Sequence, residues 1–279
     1  MGRQFLPLGI SLFVFSCVPK SVILDHPKLV SIYFEKKIDS LEEKDSLSLA
    51  EKRKIVKTKV EYAFGVIMEK SDRLIDEDYS LGLAGYKNAN FIFKEAKTLS
   101  LSILKGSHPG FDSWLKGKAD ISFSNDDIFD LYWLAASYGG AIKSSRGNPF
   151  ELVNLPTVGK LLRTALALDP EWGQGALYSA MMSYTSSRPD LSGETLKDSI
   201  SYYFEKAVLA SDSLDAGPFM TYAESIHKAS QDRDAFENNL NFVLNMDVKK
   251  SQEFELSNII AQKRAKWLLS KANKFFLEK

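Results

Sequence analysis

From Leu49 to about Glu77 the apolar positions Ile55, Val56, Val60, Ala63, Phe64, Ile67, Met68, Leu74 and Ile75 recur at steps of three and four residues. That spacing puts one buried stripe on a helix. Nothing in the stretch alternates as a strand would. The same reasoning predicts helices over residues 126–145, 155–168, 173–187, 194–211, 217–229, 231–246 and 252–276, and another around NANFIFKEAKTLS. Breaker-rich runs separate them, among them RGNPFELVNLP, DPEWGQG and SSRPDLSGET. Ser124 and Asn125 before Asp126 and Asp127 make a helix start with acids in the first turn. Residues 18–45 follow no firm period and read as a leader holding at most a first short helix. No polar linker divides the chain, so residues 46–279 are read as one all-α domain.

Three of the helical segments share a finer pattern. A large apolar residue stands three positions before a small one at Phe93 and Ala96, Leu162 and Ala165, and Phe204 and Ala207. This resembles the second helix of a tetratricopeptide hairpin, and Pro170 follows Ala165 in ALALDP where that repeat places a proline. Alanine belongs there because a tight hairpin brings two backbones together. The predicted architecture is stacked helical hairpins in a tetratricopeptide-like superhelical bundle.

DLYWLAASYGGAIKSS, residues 130–145, combines aromatics with very small side chains in one helix. On that helix Ile128, Leu131, Ala135, Tyr138 and Ile142 form one stripe, and Phe129, Trp133, Ala136 and Gly140 form a second beside it. Two glycines cost roughly 1 to 2 kcal/mol against alanine in a helix interior, so packing or access must offset them. Two readings stand side by side. Small residues let neighbouring backbones approach, or the polar edges of Tyr132, Trp133 and Tyr138 face a partly wet cavity.

Charge and the N-terminus narrow the function. The 36 basic and 36 acidic residues balance, so no global field recommends nucleic acid, and runs such as EKRKIVKTK read as wet helix faces. Behind Arg3 lies an apolar stretch from Phe5 to Phe15, too short to span a bilayer and suited to a signal-peptide core. It ends VFSC, where Ser16 before Cys17, the sole cysteine, resembles a bacterial lipobox with Phe15 at a position usually held by a small residue. Residues 1–16 are therefore read as a lipoprotein signal peptide, Cys17 as the lipidated residue, and 17–45 as tether and leader. One diacylglyceryl group carries two acyl chains, enough for stable anchoring.

Taken in order, YAFGVIMEKSDRLIDEDY (62–79), LYWLAASYGGAI (131–142), LPTVGKLLRTALALDP (155–170), SYYFEKAVLAS (201–211), YAESIHKASQDRDAF (222–236) and NIIAQKRAKWLL (258–269) resemble the TRAP transporter T-component (TatT) family of bacterial lipoproteins. The resemblance implies an envelope-facing, non-enzymatic helical protein, placed most naturally on the periplasmic side of the outer membrane. It also implies self-association, a trimer being one such homo-oligomer, and docking to the substrate-binding subunit of a tripartite ATP-independent periplasmic transporter. Family members are thought to enclose a pore for a small hydrophobic ligand such as an organic acid. Carried over, the wall residues are Tyr132, Trp133, Ser137 and Tyr138, with Tyr62, Phe64 and Tyr184 as additions. Tyr138 stands where relatives usually have tryptophan. Gln231, Asp232 and Arg233 match a family-like triplet without a known reaction, and local capping and pairing account for it better.

Catalytic motifs are missing from the sequence: there is no Gly-x-Ser-x-Gly elbow, phosphate-binding glycine loop or His-Glu-x-x-His helix. Glu224 and His227 have the spacing of half a di-iron site, but such sites need a second copy. No catalytic residue, metal or cofactor is assigned. The rival reading is a general tetratricopeptide scaffold lipoprotein that grips other proteins along a concave surface during envelope assembly.

Overall fold

The computed structural model describes residues 27–277, and every regular element among them is helical. α1 spans Pro27–Glu42 and α2 spans Leu49–Tyr62, opened by a reciprocal Ser48–Glu51 capping box. α2 runs into a π-helical turn, Ala63–Met68, and resumes as α3, Glu69–Leu74. α4 is the longest, Tyr79–Ser107, with Asp78 accepting from the Leu81 amide at its start. The short α5, Phe111–Leu115, precedes the central α6, Ile128–Ser144. Then come α7 (Pro149–Leu152), α8 (Leu155–Leu168), α9 (Ala176–Ser186) and α10 (Gly193–Ala210). α11, Gly217–Tyr222, passes into a second π-helical turn, Ala223–His227. α12 (Arg233–Asn245), α13 (Glu255–Ser270) and α14 (Ala272–Phe275) complete the chain.

The helices between α1 and α11 pack mainly on their neighbours in the chain: α1 on α2, α2 on α4, α4 on α6, α6 on α8, α8 on α9, α9 on α10 and α10 on α11. α12 then packs on α13, and α13 also reaches the start of the fold. Ile259 is buried in the same core as Val30, Phe34 and Ile38 of α1. Gly65 in the first π-turn leaves room for Ile260, since a Cβ there would stand 2.8 Å from its Cδ1. The row of hairpins thus closes on itself.

Small residues permit the close contacts. Phe93 is fully buried on α4, and an added Cβ at Gly140 of α6 would fall 2.3 Å from its ring. Ala96, Ala165 and Ala207 are likewise buried on α4, α8 and α10.

Two expectations meet a different arrangement. The segment read as leader contains a 16-residue helix, α1, whose Val30, Phe34, Ile38 and Leu41 are buried. The mixed composition hid a stripe of period near four. EKRKIVKTK is not simply a wet face either. Arg53 forks onto Asp130 of α6 at 2.6 to 3.1 Å, and buried Lys59 bridges Glu42 and Glu95 at 2.8 and 2.9 Å, tying α2 to three helices. Long basic side chains can reach such partners from a position that looks exposed on a helical wheel.

Candidate functional site

α6 has two unlike faces. Ile128, Leu131, Leu134, Ala135, Tyr138 and Ile142 are buried in protein, whereas Phe129, Tyr132, Trp133, Ala136 and Gly139 keep partial access. A side chain added at Gly139 would meet nothing within 4 Å. Tyr132 is partly accessible and packs against the core around α6 and α8.

Two indoles flank Tyr132: its ring centroid lies 5.2 Å from Trp133, edge-on at 89°, and 5.0 Å from Trp172, tilted at 51°. Trp172 is presented by a sharp turn between α8 and α9 in which Gly173, Gln174 and Gly175 all take positive φ. Gly175 has no room for a side chain, because a Cβ would stand 3.0 Å from the Ala207 carbonyl. The turn is therefore pinned against α10.

Burial and two acids raise the pKa of the same tyrosine. Burial first, then the fields of Asp215 and Glu61, push the Tyr132 hydroxyl up to about 12. Asp215 is 8% exposed. One of its oxygens accepts from the Gly217 amide at 2.8 Å, the other from Ser179 Oγ at 3.2 Å. Burial raises its pKa against those two hydrogen bonds. The turn that carries it is held in place: buried Asn258 of α13 accepts from the Ala216 amide at 2.9 Å and donates to the Leu214 carbonyl at 2.6 Å. Glu61 is raised by burial too, opposed by Lys57 and Lys37, with Lys57 Nζ 3.8 Å from its carboxylate and 5.8 Å from the Trp133 ring centroid.

The other sequence-derived wall residues lie elsewhere. Ser137 is fully buried and donates to the Trp133 carbonyl at 2.8 Å. Tyr138 packs in the core around α6 and α8, with Lys97 over its ring. Tyr184 fills the space left by Gly159 in that same core. Tyr62 stacks on Phe34 and donates to Glu35 at 2.7 Å, while Phe64 packs on Phe93. Only Tyr132 and Trp133 of the set share the open stripe. Gln231, Asp232 and Arg233 form a clasp for the C-terminal segment. Gln231 donates to the Phe275 carbonyl and accepts from the Leu277 amide, Asp232 caps α12 through the Ala235 amide, and Arg233 joins Glu237 and Asn273. Cys17 and the signal-peptide segment lie outside the described residues.

Sequence reasoning missed Trp172, Glu61 and Asp215. Trp172 was hidden among the breakers of DPEWGQG, although a lone tryptophan in a glycine turn is itself a signal. The acids gave none, because nothing local distinguishes a buried carboxylate from a wet one. Arg264 likewise looks like a surface residue within NIIAQKRAKWLL, yet it forms the seam of the closed fold, bonded to Glu69 and Asp72 at 2.9 and 2.8 Å and to Glu224 at 2.7 and 2.6 Å.

These features define a class: an all-helical protein whose last long helix packs back on its first, with a partly accessible aromatic cluster beside its central helix. Among the described residues no group of three or more His, Cys, Asp or Glu side chains could hold a metal ion, and no helix is long and apolar enough to cross a membrane. Residues 36–276 match the TRAP transporter T-component family, and the chain belongs to it. It is similar to an uncharacterized protein of Treponema pallidum (strain Nichols), 23% identical over 224 residues, which cover 78% of this chain and 69% of that protein. A TRAP transporter component is associated with the cell envelope and acts with the other subunits of its transport system.

Proposed function

We propose that this T-component holds or conducts a small, largely apolar ligand through the interior bordered by Tyr132, Trp133 and Trp172, and passes it to or from the substrate-binding subunit of its TRAP system. One observation carries the reading: Tyr132, Trp133 and Trp172 form an aromatic cluster, at 5.2 and 5.0 Å between centroids, whose rings all stay partly accessible. Aromatic walls with a few polar groups suit a small organic molecule, apolar burial contributing roughly 25 cal/mol per Å² and the polar groups setting orientation. The chain is tethered to the membrane through lipid on Cys17, on the periplasmic side of the outer membrane. It self-associates, the exposed Phe150 and Val153 of the segment around α7 offering an apolar contact between copies.

Native mass spectrometry of the gently purified protein tests the reading by weighing the assembly and any co-purified small molecule together. A Trp133→Ala variant is expected to fold and to lose that molecule. A folded variant that retains it with unchanged affinity would remove Trp133 from the wall.

A further inference from the structure

We propose that the N-terminal end of α1 rests on the surface of a phospholipid bilayer, with Leu29, Ile32 and Tyr33 seated in the interface. This contact rests on the reading above that Cys17 carries the lipid anchor, and it sets which part of the anchored domain faces the membrane. Val30, Phe34, Ile38 and Leu41 are buried, and this fixes the rotation of α1 about its axis. On the opposite side Leu29, Ile32 and Tyr33 are 50, 45 and 48% exposed. With exposed Lys36 they recur at steps of three and four, so they share one outward stripe. All three lie in the first two turns of the helix. Farther along the same side stand Asp39 and Ser40, also exposed. The apolar part of the stripe therefore occupies only the end nearest the start of the chain. A single exposed leucine needs no explanation, but three large apolar side chains on one stripe mark a contact surface.

The position of the patch says what covers it. Nine residues, 18–26, separate Cys17 from Pro27. Even fully extended, that stretch of chain reaches no more than about 35 Å. An anchor at Cys17 thus holds this end of α1 beside the bilayer at all times, and docking there becomes an intramolecular step with little further ordering cost. The chemistry of the stripe fits the same surface. Leucine and isoleucine suit the acyl boundary, and a tyrosine ring with its hydroxyl suits the headgroup level. Lys36 stands on the stripe one turn past Ile32 and Tyr33, and Lys37 Nζ lies 5.9 Å from the Tyr33 ring centroid. Lysines at the edge of an apolar patch lay their stems along it and offer their ammonium groups to lipid phosphates. A second copy of the chain could cover leucine and isoleucine equally well, but nothing ties it to the anchored end.

Electron paramagnetic resonance tests the contact on the full-length lipoprotein in vesicles of phosphatidylethanolamine and phosphatidylglycerol. Cys17 is the sole cysteine, so once its sulfur carries lipid an introduced cysteine is the single thiol. Ile32→Cys on α1 and Leu209→Cys on α10, where the native leucine is 78% exposed, each receive a nitroxide. Oxygen concentrates in the bilayer, and a water-soluble nickel chelate is excluded from it. The nitroxide at position 32 is expected to collide severalfold more with oxygen, relative to nickel, than the one at position 209 does. Leu29→Cys carries the same test should Ile32→Cys fail to fold. Equal ratios at positions 32 and 209 would overturn the contact and leave the anchor standing. Spin–spin broadening between labels at position 32 would also overturn it, in favour of a second copy on this face. The intact mass of the parent protein separates the two failures: a mature chain without diacylglyceryl on Cys17 would remove the anchor, and the contact with it.

Discussion

Arg264 Nη1 lies 2.9 Å from Oε1 of Glu69, a residue 195 positions earlier in the chain. The same guanidinium places Nη2 2.6 Å from Oε2 of Glu224. Glu224 lies inside the second π-helical turn, and Glu69 immediately follows the first. π-turns shift the side chains that follow them around the helix axis, and here both deliver an acid to one arginine. The bonds to these acids hold the guanidinium protonated although burial opposes its charge.

Removing that arginine is expected to be costly. Its side chain is 15% exposed, and Arg264→Met would leave Glu69, Asp72 and Glu224 facing one another across the seam. Breaking a buried ion pair on one side typically costs about 3 to 5 kcal/mol, and partial exposure puts the expectation at the lower end. Arg264→Lys should recover only part, since one ammonium cannot fork onto two helices. Urea unfolding at neutral pH reads both variants. A Met variant within about 0.5 kcal/mol of the parent would show that the seam does not depend on this residue.

The two adjacent glycines of α6 should behave oppositely. At Gly140 an added methyl meets the Phe93 ring at 2.3 Å, and Phe93 is itself fully buried and cannot retreat. Gly140→Ala is expected to destabilise by about 1 to 3 kcal/mol. At Gly139 nothing lies within 4 Å. There the substitution should stabilise by up to about 1 kcal/mol through helix propensity. Parallel denaturation of the two variants checks the pair, and equal effects would contradict the assignment of their faces.

Much of this fold was legible because helices announce themselves by period. Leu155–Leu168 falls on its predicted bounds, and α6 and α10 within a few residues of theirs. The glycine pair announced close packing, and Gly140 provides it against Phe93. What could not be read is long-range. Arg264 and Glu69 sit in unrelated segments, and both look like ordinary surface residues of amphipathic helices until closure of the ring buries them. Tyr132 and Trp133 were found because they adjoin on one helix. Trp172, Glu61 and Asp215 come from three other elements, and only the tertiary arrangement brings them together. Tyr138 looked equivalent to Tyr132, but its position on the helix turns it into the core beside α8.

Asn258 makes a sharper test of positioning. Its side chain is nearly inaccessible and satisfies the Ala216 amide and the Leu214 carbonyl together. The approach to that turn runs through Asp212 and Ser213, both at positive φ, so the backbone there is held against its own preference. Asn258→Ala would strand two buried backbone groups and is expected to cost about 2 to 4 kcal/mol. Asn258→Leu should do no better despite filling the volume. Calorimetric melting distinguishes a lost hydrogen-bond brace from a simple cavity, because a cavity would be relieved by leucine.

Asp215 makes the stability of the fold depend on pH. Burial raises its folded-state pKa above the ordinary value of 3.8. A carboxyl raised in this way binds its proton more tightly in the folded state than in the unfolded one. Its presence therefore costs nothing at pH values below 3.8. The cost grows as pH rises from there through the folded-state pKa and stays constant above it. Asp215→Asn removes that cost while keeping an acceptor for the Gly217 amide. The variant should melt higher than the parent at neutral pH, by the roughly 1 kcal/mol common for a single stabilising substitution, and the two should converge as pH falls toward 4. A carboxylate retained only to cap α11 predicts the reverse, a variant no more stable at neutral pH, since the cap benefits from negative charge. Thermal melts of both proteins across that pH range decide between the two.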